Sequence, residues 1–235
     1  MHGQKKISLV MPCYNEESGL QEILSGDLSL VDEIVVVNNN STDRTAEVAS
    51  NFGARVISEK KQGYGWAYQA GLAAANGDII IAMDSDNSYS LKTALGLVEK
   101  LCQNDLDFIS GCRFPLANKK AMNSLNRLGN YFLTLAFVLL TGNKIKDSQS
   151  GLWIFRRTVL KNMRLLSQNM EFSEEIKMEA LFNQKIKFAE IPIDYHERRG
   201  EVKLKKWRDG LANLLFLFNK NRELKYRFKQ KKNES

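Results

Sequence analysis

Five short apolar runs, separated by stretches of helical character, occupy the first 112 residues and leave little choice of architecture. The runs cover 7–11, 33–37, 55–58, 78–83 and 108–112; the helical stretches cover 16–24, 41–51, 65–75 and 90–102. Short runs rich in Val and Ile suit strands buried on both faces. Their alternation with helices predicts an α/β fold with a doubly wound, mostly parallel sheet flanked by helices. Right-handed crossovers then bring the loops leaving the strands to one edge, where open α/β sheets bind ligands. The second half alternates less: a helix over 121–140, a strand over 152–155, a helix over 174–183, an alternating segment over 187–193 and a helix over 208–218. With no repeat or linker in view, one domain is expected over 1–204, with an amphipathic helix and basic tail appended over 205–235.

The run Ile79-Ile80-Ile81-Ala82-Met83 ends in Asp84-Ser85-Asp86. Buried strands hide charge, so two carboxylates at the strand end are expected to face the crevice. Two carboxylates one residue apart can hold a hard divalent cation against phosphate oxygens. A polar loop leaving a strand has the same appearance.

Charge narrows the partners. The net charge is +7, and residues 220–235 carry seven Lys or Arg against two Glu, leaving +2 for the remainder. Basicity this local suits an anionic membrane or nucleic acid. The tail's two aromatics, Tyr226 and Phe228, are too few for a stacking platform, so no nucleic-acid partner is expected. Cys13, Cys102 and Cys112 lack metal-ligand spacing and suggest reduced thiols of a cytoplasmic protein. His2 and His196 are too few and too far apart for a histidine metal site. No signal peptide is visible, and the most apolar segment, 131–140, is ten residues against the roughly 20 of a membrane span.

The other strand-end loops carry their own chemistry. Pro12-Cys13-Tyr14-Asn15-Glu16-Glu17 offers a stiff exit, a ring for stacking and acidic residues suited to a helix start. In Asn38-Asn39-Asn40-Ser41-Thr42-Asp43, Ser41 or a neighbour can cap the next helix, and the Asn39 amide can pair with a nucleobase edge. Gly63-Tyr64-Gly65 opens a helix behind Lys60 and Lys61, and glycines there let an anion approach backbone N–H groups.

These loops, in order, resemble family 2 glycosyltransferases of the GT-A fold, and more narrowly the polyprenyl-phosphate (dolichyl-phosphate) mannose and glucose synthases. Pro-Cys-Tyr-Asn-Glu at 12–16, Asn-Ser-Thr-Asp-Arg-Thr at 40–45, Gly-Tyr-Gly at 63–65 and Asp-Ser-Asp at 84–86 carry the resemblance. Ser-Gly-Cys-Arg-Phe at 110–114, Asp-Ser-Gln-Ser-Gly-Leu at 147–152, Met-Glu-Phe-Ser-Glu-Glu at 170–175 and Tyr-His-Glu-Arg-Arg-Gly-Glu at 195–201 extend it to Lys203-Leu204. Three positions depart: Asn38-Asn39 replaces the usual Asp-Asp, Ser88 stands where the mannose synthases often carry Gln, and Val202 replaces a Ser.

The resemblance implies an inverting transfer of a hexose from a UDP- or GDP-sugar to a polyprenyl monophosphate, assisted by Mg²⁺ or Mn²⁺, on the cytoplasmic face of a membrane. It implies Asp86, with Asp84 and Ser88, at the metal. It places Pro12, Tyr14, Glu16, Asn39, Gly63, Gly65 and Asp84 around the nucleotide sugar, and Arg113, Arg198 and Lys203 at the acceptor phosphate. Arg113 and Asp147 join Asp86 as catalytic candidates, Asp147 by resemblance alone. Lys119, Lys120 and Arg127 are further cations. A phosphate acceptor, with a second pKa of about 6, is already ionised and needs no strong base. A hydroxyl acceptor would need a carboxylate base, for which Asp147, Glu174 and Glu175 are available. A soluble relative acting on a hydroxyl, and a degenerate membrane-associated binding protein, are the competing readings. A lipid acceptor implies contact with an anionic membrane, for which segments 131–140 and 211–218 are apolar enough.

Overall fold

The computed structural model describes residues 5–200 and 206–233, with side chains described for 5–200 and 210–230. The first half follows the expected alternation: β1 (Ile7–Cys13), α1 (Glu17–Leu24), β2 (Glu33–Asn38), α2 (Thr45–Asn51), β3 (Arg55–Ser58), α3 (Tyr64–Ala74), β4 (Ile79–Ala82), α4 (Leu91–Gln103) and β5 (Phe108–Cys112). There follow α5 (Ser124–Thr141), β6 (Trp153–Arg156), α6 (Phe172–Phe182), β7 (Phe188–Pro192) and α7 (Lys206–Asn233). Ser90 caps α4 and Asn123 caps α5, whereas α2, for which Ser41 or a neighbour is the expected cap, begins after Arg44 with no side-chain cap; Gly142 ends α5 in the left-handed region at φ 73°.

The strands form one seven-stranded sheet in the order β3-β2-β1-β4-β6-β5-β7. All neighbours are parallel except β6, which runs against β4 and β5. This exception has a purpose. An antiparallel strand enters the sheet at the edge its neighbours leave, and Trp153 pairs with Ala82 at the end of β4. Residues 147–152 therefore arrive beside the Asp84 loop.

Alternation along each strand sorts the core into two layers. Leu9, Met11, Ile79 and Ile81 face α1 and α4; Val10, Ile80 and Ala82 face α3 and α6. A third cluster of Phe137, Ile145, Met178, Leu217 and Leu224 joins α5, α6 and α7. The expected basic tail is instead the second half of the continuous helix α7. Lys220 turns inward to Glu175 (3.1 Å) and Glu179 (2.7 Å), and Arg227 also reaches Glu179. Part of the tail's charge is thus neutralised inside the fold. The domain limit expected at 204/205 lies outside the described residues, and the helix beyond it packs into the third cluster. No helix among the described residues is long and apolar enough to cross a membrane. Cys102 and Cys112 are free thiols.

Candidate active site

Three carboxylates converge where β1 and β4 leave the sheet. Asp84 accepts hydrogen bonds from the Tyr64 hydroxyl (2.8 Å) and the Tyr68 hydroxyl (3.3 Å), one turn apart on α3. Burial and the neighbouring Asp86 charge push its pKa up to about 7. Asp86 is buried; one oxygen accepts from the Ser88 backbone N–H (3.0 Å) and hydroxyl (2.5 Å), and the other lies 3.5 Å from Arg198 Nη1. Arg198 Nη2 donates to Glu16 at 2.9 Å, so one guanidinium bridges the loops after β1 and β4. The backbone of the segment after β7 is pinned over the same loop: His196 N–H donates to Ser88 (2.9 Å) and Arg199 N–H to Asp86 (2.7 Å).

Arg113 and Asp147 form the second feature. Arg113 leaves β5 and donates from Nε (2.7 Å) and Nη2 (2.8 Å) to the two oxygens of Asp147, whose backbone-facing oxygen also takes the Arg113 N–H. Burial opposes the charge on Asp147, but the Arg113 guanidinium outweighs it and holds the carboxyl below its usual range. The guanidinium also lies 5.2 Å from the Tyr195 ring centre. Behind the pair, buried Lys177 donates to the carbonyls of Asp147, Ser148 and Ser150 at 2.8–3.0 Å. Burial lowers its pKa to about 8. Gly151 closes the approach: a Cβ there would stand 2.5 Å from Asp84 Oδ2.

The structure gathers Glu16, Asp84, Asp86, Ser88, Arg198, Arg113 and Asp147 at one edge, while Lys203 lies outside the described residues. Pro12 lines the same edge, its carbonyl accepting from the Ser85 hydroxyl at 2.8 Å, and Tyr14 is half-buried beside it. Three expectations change. Asn39 gives both amide protons to the Glu59 and Lys61 carbonyls (3.0 and 2.8 Å) and accepts from Gly63 N–H (2.8 Å), leaving no N–H for a nucleobase. Gly63 and Gly65 make room for chain instead of an anion: a Cβ on either would collide with the carbonyls of Gln168 or Ser167, and Gln168 already takes the Trp66 N–H (3.1 Å). The Ser88 hydroxyl orients Asp86 by donating to it.

Sequence reasoning missed Tyr64 and Tyr68 as partners of Asp84, although their four-residue spacing places both on one helix face. It also missed the lacing of the first two loops, where Asp43 takes the Glu17 N–H (3.1 Å), Thr45 the Glu16 N–H (2.9 Å) and Asn15 the Thr42 N–H (2.7 Å). Lys177 gives no sequence signal.

An all-oxygen carboxylate pair, Asp84 half-buried and Asp86 buried, with each charge repelling the other, fits a hard divalent cation. No three His, Cys, Asp or Glu side chains among the described residues converge into a closed cage. A hard divalent ion held by this pair would need further oxygens from phosphate and water.

This sheet order, with a carboxylate pair ending its central strand, defines a GT-A α/β fold. Glucosyl-3-phosphoglycerate synthase from Mycobacterium tuberculosis in complex with UDP superimposes at a TM-score of 0.74, with 22% identity over 92% of this chain and 80% of that one. Its complex with Mn²⁺, UDP and glucosyl-3-phosphoglycerate gives 0.69 at 21% identity, with the same coverage. The model of glycosyl transferase family 2 matches residues 8–164, and the chain belongs to that family. Two Haloferax volcanii relatives are similar over most of the chain. The low-salt glycan biosynthesis hexosyltransferase Agl6 is 33% identical over 90% of this chain, which spans 52% of that relative's length. A dolichyl-phosphate hexose transferase is 32% identical over 88% of this chain and 90% of its own.

Proposed function

We propose that the protein transfers a hexose from a nucleoside diphosphate sugar to the phosphate of a polyprenyl monophosphate. The observation that carries this reading is the state of the site's carboxylates. A hydroxyl acceptor needs a free base, yet Asp147, Glu174 and Glu175 are all fully buried and engaged. Asp147 is clasped by Arg113; Glu175 takes the N–H groups of Leu166 and Ser167 (2.9 and 2.8 Å) and the Lys220 amine. Glu174 accepts from Gln149 (2.5 Å), and burial holds its pKa well above the ordinary value. An ionised phosphate needs no such base. The dolichyl-phosphate hexose transferase relative supports the same acceptor.

In the proposed reaction an acceptor phosphate oxygen attacks the anomeric carbon in line. The bond from that carbon to the diphosphate breaks, and the nucleoside diphosphate leaves with the electron pair. No proton has to move. Asp86, steadied by Ser88, and Asp84, steadied by Tyr64 and Tyr68, would hold Mg²⁺ or Mn²⁺; such an ion neutralises charge developing on the leaving diphosphate. That the mycobacterial structure was solved with Mn²⁺ and UDP supports a divalent ion beside a nucleoside diphosphate. Arg198, across from Asp86, and Arg113 then supply positive charge for the acceptor phosphate, Arg113 held in place by Asp147. Lys203 is proposed with them.

The test is product analysis with UDP- and GDP-hexoses, Mn²⁺ and a short-chain polyprenyl phosphate. A metal-dependent polyprenyl-phosphate hexose is expected. Transfer only to phosphoglycerate or another hydroxyl overturns the acceptor; no turnover, with no thermal shift from either nucleotide and Mn²⁺, favours a degenerate binding protein.

A further inference from the structure

Helices α5 and α7 pack side by side, and the faces they turn outward are apolar. On α5, Leu125, Leu128, Phe132, Leu135 and Leu139 are exposed, Leu139 to 75%, in steps of three and four residues that align them in one stripe. Tyr131 lies beside them, and the other exposed residues of α5 are only Ser124 and Gly129. On α7, Leu211, Leu215 and Phe218 are exposed in the same rhythm. The α7 stripe then changes chemistry without changing face. Arg222, Lys225 and Lys229 continue it in steps of four, three and four, all exposed. Ahead of α5, Lys119 and Lys120 are exposed in a 3₁₀ turn. Single exposed apolar residues are ordinary; two adjacent stripes of them mark a contact surface.

We propose that this face docks on an anionic bilayer, with the apolar stripes at the headgroup–acyl boundary and the basic ends against anionic headgroups. The basic continuation of the α7 stripe decides the occupant. A second copy would set Arg222, Lys225 and Lys229 against apolar side chains or against their own kind. An anionic surface with an apolar interior meets both halves of the stripe. Helix α5 carries no acidic residue that would oppose it.

Docking would also aim the site. The inner faces of the same two helices hold the segment that carries Asp147: Thr134 accepts the Ser148 N–H (3.0 Å), and Asn213 donates to Gln149 (3.1 Å). The segment ends at Gly151, against Asp84. The purpose of docking rests on the lipid-phosphate reading above; the surface itself does not.

Flotation of the full chain with phosphatidylcholine vesicles, with and without phosphatidylglycerol, tests the proposal. The wild type is expected to float with the anionic vesicles and far less with neutral ones. Phe132→Glu/Leu135→Glu should cut vesicle partitioning at least ~10-fold, and Arg222→Glu/Lys225→Glu should abolish the preference for anionic lipid. Both should keep transfer to a water-soluble short-chain polyprenyl phosphate. If the first pair unfolds the chain, Leu139→Ser replaces it, with a smaller loss of partitioning expected. Wild type that stays with the protein pool, variants that float unchanged, or a wild-type dimer that the apolar variants convert to monomer each overturn it. Flotation as expected, without transfer to any polyprenyl phosphate, overturns the acceptor reading and leaves the docking surface standing.

Discussion

Arg113 clasps Asp147 through two parallel hydrogen bonds of 2.7 and 2.8 Å, in a setting where both side chains are buried. Removing one partner leaves a buried charge unpaired. Asp147→Ala is therefore expected to destabilise the protein by roughly 3–5 kcal/mol. The double variant Asp147→Leu/Arg113→Met should recover much of that stability while remaining inactive. Denaturant unfolding of the wild type, Asp147→Leu, Arg113→Met and the double variant measures it, and a double variant as unstable as the sum of its singles would refute the pairing argument.

Asp86→Ala leaves Arg198 paired with Glu16 and keeps the backbone bonds from His196 and Arg199 to the Asp86 loop, so the fold should stay intact. Transfer should fall by on the order of 10²–10³-fold, and the thermal shift produced by Mn²⁺ with nucleotide should vanish. A variant retaining that shift would move the metal away from Asp86.

Glycine substitutions separate close packing from open helix surface. Gly65→Ala drives a methyl into the Ser167 carbonyl and should cost about 1–3 kcal/mol. Gly96→Ala, in α4 with nothing within 4 Å of the new methyl, should stabilise by about 0.5–1 kcal/mol. Thermal melts of the two variants should shift in opposite directions.

Glu33 supplies the pH dependence. Burial raises its pKa, but hydrogen bonds from the Asn76 N–H (2.8 Å), the Ser8 hydroxyl and Arg55 (2.6 Å) outweigh burial and bring the carboxyl to about 2. In the unfolded chain it titrates near ~4.3. Between those values the unfolded state binds the extra proton, so this contribution is complete above about pH 4.3 and is lost as pH falls toward 2. Glu33→Gln should flatten the fall of unfolding free energy with acid in that window.

The parallel half of the fold was legible because each run such as Ile79–Met83 has strand length and each intervening loop carries turn residues. The direction of β6 was not, since Trp153–Arg156 has the same local composition whichever way it runs. The length of α7 was obscured by charge. Lys220, Leu224, Arg227 and Phe228 repeat at helical spacing, but the two cations look solvated until Glu175 and Glu179 are seen facing them. In the candidate site, Asp84, Asp86 and Arg113 stood out because a charge ending an apolar run is conspicuous; their roles belong to the proposed reaction. The Asn39 amide and the Gly63 and Gly65 positions were misassigned because their partners, the 59–61 carbonyls and residues 167–168, are fixed only by tertiary packing.

The segment that β6 draws to the candidate site is held by chain well beyond β6. The stretch matched by the family model ends at residue 164, short of Lys177 and Arg198. A fragment cut there would keep Asp84 and Asp86 yet lose the amine that gathers the 147–150 carbonyls and the guanidinium facing Asp86. On the reaction proposed above, a working fragment, split enzyme or grafted domain made from this chain would need residues to at least Arg198.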